Sequence, residues 1–251
     1  MRKFGLIGHP LGHSLSQKLF ADRYPQWDYR LYERDSVTDI ASWATTEGID
    51  GFNVTIPFKE TIMEYLDEVE STARAIGAVN CVKVVRTPHH KPKLIGYNTD
   101  APAFEETLAL QLNGIAAQQA LILGNGGAAK AVAHGLQHLN INHRFLTHND
   151  IDRLKIHGGD LSSYDIIVNA TPVGMFPNRA VSPLNIDNGR LQLPIGQWLC
   201  YDLIYNPDQT LLLQQAAAKG AKTCNGMAML KRQAALSWEI WGCGDVELLS
   251  C

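Results

Sequence analysis

The segment ALILGNGGAAKAVAHGL, residues 120–136, decides the fold. Its first four residues are apolar and predict a buried strand, and an alanine-rich helix is predicted over its second half. Between them, Gly124, Gly126 and Ala129 have the spacing G-x-G-x-x-A. Strand, glycines and helix in this order are typical of a dinucleotide-binding fold. The alternative is a tight turn that binds no ligand, whereas a Walker-type phosphate loop is excluded because no G-K-[ST] follows.

Each small residue of this motif has a physical role in such a fold. Gly124 is expected to make the tight turn, and Gly126 to let backbone amides approach a pyrophosphate. Ala129 is expected to keep the helix close to the sheet. The N-terminus of that helix would add a favourable field for an anion.

Strand and helix patterns alternate along the rest of the chain. Further strands are predicted at residues 3–8, 27–33, 53–56, 79–85, 94–97, 144–147, 166–168 and 199–203. Further helices are predicted at residues 14–22, 37–46, 58–66, 70–76, 101–112, 210–219 and 227–241. The alternation predicts an α/β fold with largely parallel sheets. We place the domain change in the helix at 101–112, between a first α/β domain, 1–101, and a Rossmann-like dinucleotide-binding domain, 102–226.

Charge, apolar runs and cysteine spacing indicate which classes of partner and which compartment to expect. The 251 residues carry a formal charge of −3, which gives no electrostatic reason to expect nucleic acid or an anionic membrane as a partner. No apolar run approaches the roughly 18 residues of a membrane span, and the first ten residues have no signal-peptide core. The five cysteines are widely spaced, as expected of reduced thiols in the cytoplasm. No metal site is expected, because Pro10 and Gly12 keep His9 and His13 from sharing one helix face.

The segment NVTIPFK, residues 53–59, is unusually polar for a core strand. Asn53 and Thr55 alternate with apolar residues, and Lys59 follows shortly after the strand stops. More polar residues come at other predicted strand ends: Ser14, Ser16, Asn80, Asn98, Thr99 and Asp100. Together such groups can surround a small polyhydroxylated acid and leave one amine for proton transfer. Structural alternatives are a capping box of Ser14 with Gln17, a turn at Asn80, a helix cap at Asp100 and a solvated charge at Lys59.

Several short blocks occur in order between residues 14 and 233: SLS, NVTIPFK, GAVN, GYNTD, GNGGAAK, NATPVGM, YDLIYNP and GMAMLKRQ. In combination they resemble the shikimate dehydrogenases, and the closely similar quinate/shikimate dehydrogenases, over essentially the whole chain. The resemblance implies reduction of 3-dehydroshikimate to shikimate by a nicotinamide cofactor, a step in chorismate and aromatic amino acid biosynthesis. It also implies a substrate domain, a cofactor domain, an active site in the cleft between them, and a last helix within 227–251 that returns to the first domain.

The resemblance also implies roles for individual residues. Lys59 and Asp100 match the family's catalytic pair, and which of the two carries the proton stays open. The implied substrate-binding residues are Ser14, Ser16, Asn53, Thr55, Lys59, Asn80, Asp100, Tyr205 and Gln233. The implied cofactor-binding residues are Gly124, Asn125, Gly126, Gly127, Ala128, Thr147, His148, Asn149, Thr171, Leu203 and Gly226.

One position departs from the family pattern and bears on the cofactor. The second strand of the dinucleotide fold is usually followed by Asn-Arg-Thr or Ser-Arg-Thr, whose arginine grips the 2′-phosphate of NADP. Here His148 takes the place of that arginine. NADP is therefore the expected cofactor, with NAD as the alternative. Two other functions stay open: a quinate/shikimate dehydrogenase that uses NAD, and a non-catalytic regulatory homologue that binds shikimate. The sequence does not predict the oligomeric state.

Overall fold

The computed structural model describes residues 1–12, 14–113 and 115–244. His13, Gly114 and residues 245–251, which include Cys251, lie outside the described residues. Within the chain, contacts define two compact units. One unit consists of Met1–Asp100 together with the segment that begins at Lys231, and the other consists of Ala101–Leu230.

The first unit is built on a mixed sheet. Its strands are β1 Lys3–Gly8, β2 Asp28–Glu33, β3 Gly51–Val54, β4 Glu68–Val69, β5 Cys81–Val85 and β6 Lys93–Tyr97. Its N-terminal helices are α1 Ser16–Arg23, α2 Ile40–Glu47 and α3 Ser71–Ile76. The strand order is β2-β1-β3-β5-β6-β4. β1 runs parallel to β2 and β3, but β5 runs antiparallel to both β3 and β6, so this sheet is not wholly parallel.

Apolar side chains cover both faces of this sheet, because successive residues of a strand point to opposite sides. Ile7 and Phe52 belong to one buried cluster, whereas Phe4 belongs to the other. The second cluster includes Trp238 of the last helix, α8 Met227–Ile240, and Trp241 directly after it. The Trp241 ring stacks on Phe4 with centroids 4.9 Å apart, and its Nε1 donates to the backbone oxygen of Val82 at 3.0 Å. These contacts fix the C-terminal part of the helix within the first unit.

The helix predicted at residues 58–66 is wrong, because only a 3-10 turn forms there, at Thr61–Tyr65. The backbone before this turn is held against the sheet. Val79 N donates to the carbonyl oxygen of Lys59 at 2.7 Å, and Phe58 N donates to the carbonyl oxygen of Thr55 at 2.9 Å. A carbonyl used in this way is not available to a regular helix. The chain thus places Lys59 beside the residues that precede β5.

The second unit contains a parallel sheet flanked by helices. Its strands are β7 Gln119–Leu123, β8 Asn142–Leu146, β9 Gly159–Asp160, β10 Ile166–Asn169, β11 Leu191–Gln192, β12 Leu199–Asp202 and β13 Lys222–Cys224. Its helices are α4 Asp100–Gln111, which begins at the last residue of the first unit, α5 Gly127–His138, α6 His148–His157 and α7 Leu211–Ala218, with a 3-10 turn at Ile186–Asn188. The main sheet has the order β13-β12-β10-β7-β8, and every pair in it is parallel. The strand order therefore reverses beside β7, the strand that the glycine motif follows.

We expect His134 of α5 to make the free energy of unfolding of this unit sensitive to acid. The rings of His134 and His138 lie 4.3 Å apart, and His138 Nδ1 lies 3.1 Å from Glu105 Oε2 of α4. Burial, and then the neighbouring His138, hold the pKa of His134 below its ordinary value of 6.5. The unfolded chain has the higher pKa, so it binds more protons than the folded chain once the pH falls below about 6.5. Stability is therefore lost on acidification through this range.

We expect His134→Gln to flatten the fall in the free energy of unfolding between about pH 7 and pH 5.5, measured by urea denaturation. His90→Gln is the matched control, since His90 is exposed in the turn before β6. The control should keep the pH dependence of the wild type. An unchanged slope in His134→Gln would show that this histidine does not cause the loss.

Candidate active site

Three polar segments of the first unit meet at one edge of its sheet. Asn53 of β3 pairs with Cys81 at the start of β5, and Cys81 pairs with Tyr97 at the end of β6. Residues 55–59, residue 80 and residues 98–100 therefore emerge at the same edge. The sequence predicted this clustering from strand ends alone. Residue 80 instead precedes a strand, and it joins the cluster because β5 runs in the opposite direction to its neighbours.

Lys59 and Asp100 form an ion pair at this edge. Lys59 Nζ lies 2.5 Å from Asp100 Oδ2, and the two side chains are 15% and 8% exposed. The other carboxylate oxygen, Oδ1, accepts a hydrogen bond from Asn80 Nδ2 at 2.8 Å. Because both oxygens of the carboxylate are held, the direction of the lysine amine is fixed as well. The alternative of Lys59 as a solvated charge is wrong, since the side chain is mostly buried.

Asn80 connects this pair to Thr99 and to α8. Asn80 Oδ1 accepts from Thr99 N at 2.7 Å, and Asn80 Nδ2 donates to Thr99 Oγ1 at 2.9 Å. The same amide nitrogen lies 3.5 Å from Gln233 Oε1. Ser237 Oγ, one turn further along α8, donates to the carbonyl oxygen of Gln233 at 2.9 Å and lies 3.2 Å from Thr99 Oγ1. Asn80 is therefore a buried bridge rather than a simple turn residue, and it brings Gln233 beside the ion pair.

Ser237 was not predicted from the sequence. It is fully buried, and its hydroxyl also accepts from Asn53 Nδ2 at 2.8 Å. A serine within a helix pattern carries no signal by itself. Its position four residues after Gln233, on the same face of α8, is the signal that would have found it.

The side chain of Asn53 is buried and hydrogen-bonds to other residues of the first unit. It is 6% exposed, its Oδ1 accepts from the hydroxyl of Tyr29 at 3.1 Å, and its Nδ2 donates to the backbone oxygen of Asn80 at 3.2 Å. With the additional bond to Ser237, these contacts make Asn53 a support for the bridging residues. A direct contact with substrate stays a prediction.

Ser14 and Ser16 lie in the loop after β1 and at the start of α1. The capping box proposed for Ser14 and Gln17 is wrong, because the N-cap of α1 is Leu15 and has no side-chain cap bond. Gln17 Nε2 donates instead to the backbone oxygen of Tyr29 at 2.9 Å. Ser14 Oγ accepts from Ser16 N at 3.2 Å, and both serines are half-buried. Their roles toward a ligand stay predictions.

The two remaining substrate candidates, Thr55 and Tyr205, lie in different units. Thr55 directly follows β3, and its N–H donates to the backbone oxygen of Ile7 at 2.9 Å. Tyr205 follows the end of β12, at the carboxyl edge of the second sheet. Both side chains are half-buried. Each thus lies just beyond the carboxyl end of a parallel strand.

The predicted cofactor residues share one edge of the second sheet. Its five strands are parallel, so their carboxyl ends meet at a single edge. The candidates follow these ends in turn: residues 124–128 after β7, residues 147–149 after β8, Thr171 after β10, Leu203 after β12 and Gly226 after β13. Ligands of such sheets bind outside this edge, where the strand order reverses.

The start of α5 has the space and the charge that a pyrophosphate needs. Gly124 has a φ of +102°, and a Cβ there would lie 3.0 Å from Thr171 Cγ2, so the turn requires glycine. Gly126 is the N-cap of α5, and a Cβ built on it would meet nothing within 4 Å. Ala129 is fully buried and keeps the helix on the sheet. The residues therefore fit a dinucleotide, whose anion would lie against the N-terminus of a twelve-residue helix.

Thr147, His148 and Asn149 form the start of α6. Thr147 is its N-cap and makes a capping box with Asp150, whose carboxylate accepts from Thr147 N at 2.9 Å and from Thr147 Oγ1 at 2.6 Å. These hydrogen bonds, aided by Arg153 and Arg144, hold the pKa of Asp150 below its usual range. Asp150 is thus engaged in capping the helix, and His148 remains the side chain at the expected phosphate position.

His148 has an acidic neighbour that was not predicted. Its Nε2 lies 3.2 Å from Asp152 Oδ2, and the second oxygen of that carboxylate lies 3.7 Å from Lys155 Nζ. The His148 side chain is 83% exposed and that of Asp152 is 44% exposed. The i,i+4 spacing on a helix was the signal available in the sequence. A carboxylate therefore lies beside the place where a 2′-phosphate is expected.

Within residues 1–12, 14–113 and 115–244, no group of three or more His, Cys, Asp or Glu side chains is arranged to hold a metal ion. None of the helices in that part of the chain is long and apolar enough to cross a membrane. His13 lies outside it, so the predicted separation of His9 from His13 is not tested.

Comparison with known proteins identifies the family. Residues 6–82 match the family model described as the shikimate dehydrogenase substrate binding domain. The chain is 39% identical to the shikimate dehydrogenase (NADP(+)) of Methanococcus maripaludis strain C7, with 94% of this chain and 90% of that protein covered. It matches shikimate dehydrogenase 1 from Peptoclostridium difficile with a TM-score of 0.80 and 32% identity, over 98% of this chain and 94% of that one. It matches the shikimate 5-dehydrogenase from Thermus thermophilus in complex with NADP(H) and shikimate with a TM-score of 0.78 and 29% identity, over 98% and 95% of the two chains. On this evidence the chain belongs to the shikimate dehydrogenase family of NADP-dependent oxidoreductases.

Proposed function

We propose that the protein reduces 3-dehydroshikimate to shikimate with NADPH, a step in chorismate and aromatic amino acid biosynthesis. The observation that carries this proposal is the ion pair of Lys59 with Asp100, held beside Asn80 and Gln233 at one edge of the first sheet. An amine fixed by a carboxylate suits proton transfer to a ketone oxygen during reduction. We also place the reaction in the cytoplasm, which the free thiols of the four described cysteines support.

The chemistry assigned to the chain's own residues is proton transfer and charge stabilisation. NADPH, when bound, supplies the hydride. Lys59 donates a proton to the substrate oxygen on which negative charge develops, and its ammonium stabilises that charge. An ammonium has three donors, and the contact with Asp100 uses one of them. Asp100 orients the amine and accepts a hydrogen bond from a neighbouring substrate hydroxyl.

The other substrate candidates are hydrogen-bonding groups of the kind that a hydroxylated ring acid requires. The hydroxyls of Ser14 and Ser16 would hold the substrate carboxylate. The ring oxygens would contact Thr55, Asn80 and Gln233, and Tyr205 would add a phenol. The bonds that Asn53 makes to Asn80 and Ser237 support a positioning role for that residue.

The proposed cofactor contacts follow the five strand ends of the second sheet. The start of α5, residues 124–128, would hold the pyrophosphate, since it offers backbone N–H groups and the positive end of a helix. Thr147, His148 and Asn149 would face the 2′-phosphate. Thr171, Leu203 and Gly226 would line the rest of the site.

The proposal is tested by following NADPH oxidation by the purified protein with 3-dehydroshikimate as substrate. We expect turnover that requires both compounds. A higher kcat/KM for quinate than for shikimate in the reverse direction would instead assign quinate as the substrate. Shikimate binding without any turnover would identify a non-catalytic homologue.

Gln233 provides a test of the substrate site at the far end of the chain. We expect Gln233→Ala to weaken shikimate binding by roughly 1 to 2 kcal/mol, because a neutral hydrogen bond is lost and its partner is left unpaired. The KM for NADPH should not change. The measurements are the shikimate Kd by calorimetry and the two KM values.

Gln214→Ala is the matched control, because Gln214 is an exposed helix glutamine whose Nε2 donates to the backbone oxygen of Gln209 at 3.1 Å. This variant should leave the shikimate Kd and both KM values unchanged. If Gln233→Ala changes cofactor binding alone, Gln233 does not belong to the substrate site.

A further inference from the structure

Asp202 is a buried acid that the chemistry above does not use. It is the last residue of β12 and is 0% exposed. Its Oδ1 accepts from Asn169 Nδ2 and from Ile204 N, both at 3.0 Å, and its Oδ2 accepts from Thr210 Oγ1 at 2.7 Å. Burial raises the pKa of Asp202 to about 6, although these three hydrogen bonds lower it. Burial of a carboxyl whose described partners are all neutral costs free energy of folding. The contacts of Asp202 therefore indicate its role.

One of these contacts leads to the loop after β10. Asn169, the last residue of that strand, is also 0% exposed. Its Oδ1 accepts from Thr171 N at 3.0 Å and from Thr171 Oγ1 at 2.7 Å. Its amide can do so only in the orientation in which Nδ2 faces Asp202. The carboxyl of Asp202 therefore fixes Asn169, and Asn169 fixes Thr171.

The other contacts lead to the loops after β12 and β13. Leu203 N donates to the backbone oxygen of Asn169, and Gly226 N donates to the backbone oxygen of Ile204, both at 3.0 Å. A Cβ on Gly226 would lie 2.0 Å from the backbone oxygen of Leu203, so these two loops touch through their backbones. Asp202 binds the N–H of Ile204 between them. Leu203 follows Asp202 directly in the chain. Asp202 is connected to Thr171 through Asn169, and to Gly226 through Ile204.

We infer that Asp202 is a positioning residue for the cofactor, which holds Thr171, Leu203 and Gly226 at the carboxyl edge of the sheet without touching the ligand itself. The inference rests on the proposed function, in which those three residues line the NADPH site. Asp202 acts through Asn169 and Ile204, and its bond to Thr210 ties the same edge to the N-cap of α7. The three loops lose their common support when the carboxyl is removed.

The experiment compares Asp202→Ala with Asp202→Asn in the full-length protein. NADPH affinity is measured by the change in its fluorescence on binding, which does not require turnover. We expect Asp202→Ala to raise the NADPH Kd at least about tenfold, as loss of several buried hydrogen bonds implies. The shikimate Kd should change less than about twofold. Asp202→Asn keeps the oxygen that accepts from Asn169 and Ile204, so it should restore most of the affinity.

Asp165→Ala is the matched control within the same unit. Its Oδ2 accepts from Gln118 N and Gln119 N at 2.8 and 2.9 Å, but it lies at the opposite edge, just before β10. It should leave the NADPH Kd unchanged. An equal loss of NADPH affinity in Asp165→Ala, or equal losses for NADPH and shikimate in Asp202→Ala, would overturn the inference.

A second variant keeps the test decisive if Asp202→Ala does not fold. Asn169→Ser removes the amide that joins Asp202 to Thr171 and retains the carboxyl of Asp202. It should raise the NADPH Kd in the same way. Wild-type NADPH affinity in this variant would also contradict the inference. If the wild type does not oxidise NADPH with 3-dehydroshikimate, the proposed function is wrong. If the wild type does so, and both variants bind NADPH as tightly as the wild type, only the role of Asp202 is wrong.

Discussion

Replacing Lys59 with methionine is expected to lower kcat at least about a hundredfold, the usual scale for a lost general acid. Methionine keeps roughly the length of the side chain but has no proton to donate. The KM for 3-dehydroshikimate should change much less, because the proton is transferred in the transition state rather than in the bound ground state. The measurement is steady-state kinetics with NADPH at saturating and varied substrate.

Loss of the amine also leaves the carboxylate of Asp100 buried without its cation, so the unfolding of Lys59→Met must be measured alongside kcat. Lys93→Met is the matched control. Lys93 Nζ lies 2.5 Å from Glu68 Oε2, the same separation as in the Lys59 pair, but its side chain is 49% exposed. The control should keep wild-type kcat. Near wild-type kcat in a folded Lys59→Met protein would rule out the lysine as proton donor.

Asp100→Asn distinguishes which member of the pair carries the proton. An asparagine whose oxygen accepts from Asn80 turns its NH2 group toward Lys59 Nζ, so it loses the charge, the titratable proton and the acceptor for the amine. If Asp100 merely orients the amine, kcat falls less than in Lys59→Met. A larger fall than in Lys59→Met would move the proton to Asp100.

Local pattern predicted four strands of the main sheet of the second unit, β7, β8, β10 and β12, but it missed β13 and α6 and did not give the details of the first unit. The alternation of strands and helices predicted largely parallel sheets, and every pair in the main sheet of the second unit is parallel. In the first unit, the polar residues at strand ends predicted one cluster, and the cluster is present. The antiparallel direction of β5 was not predicted, because the sequence of a strand does not by itself specify which strands pair with it. The helix predicted after Phe58 failed for a related reason. The carbonyl of Lys59 bonds to Val79, a residue distant in sequence, and such a bond overrides local helix propensity.

Residues of the candidate site could be named from the sequence where each belongs to a recognisable block. Lys59, Asp100 and Gln233 could be named from short motifs, but their distances could not. Ser237 lies outside those motifs, and its role depends on the packing of α8 in the first unit. The pairing of His148 with Asp152 was accessible from helix spacing, but only once the start of α6 was known.

Cofactor preference is expected to respond strongly to two residues at the start of α6. We expect the wild type to prefer NADPH over NADH by a modest margin, since the imidazole of His148 cannot pair with a phosphate through two parallel hydrogen bonds as a guanidinium does. Asp152 reduces the margin further, because its carboxylate is 3.2 Å from His148 Nε2 and would repel a 2′-phosphate nearby. We do not expect Asp150 to supply the acid that an NAD site uses, as its Oδ2 accepts from the N–H and hydroxyl of Thr147.

His148→Arg should raise the ratio of kcat/KM for NADPH over NADH by about tenfold, because a guanidinium pairs with phosphate through two hydrogen bonds. Asp152→Asn should raise it by about fivefold, the scale of one interaction of about 1 kcal/mol between like charges that are well exposed to water. In the single arginine variant, Asp152 would compete with the phosphate for the guanidinium. The double variant should therefore gain more than about fiftyfold, the product of the two single effects, since neighbouring changes of this kind are not additive.

Asp187→Asn is the control for a general loss of negative charge, because Asp187 is exposed in the 3-10 turn of the same unit. It should leave the ratio unchanged. The wild type and all the variants are compared with both cofactors at one ionic strength, since exposed charges are screened by salt. If the wild type favours NADH, and neither His148→Arg nor Asp152→Asn shifts the ratio, then the ribose is read elsewhere. The start of α6 would then lose its assignment as the phosphate site, whereas a rise confined to NADPH ties both side chains to the phosphate, which NADH lacks.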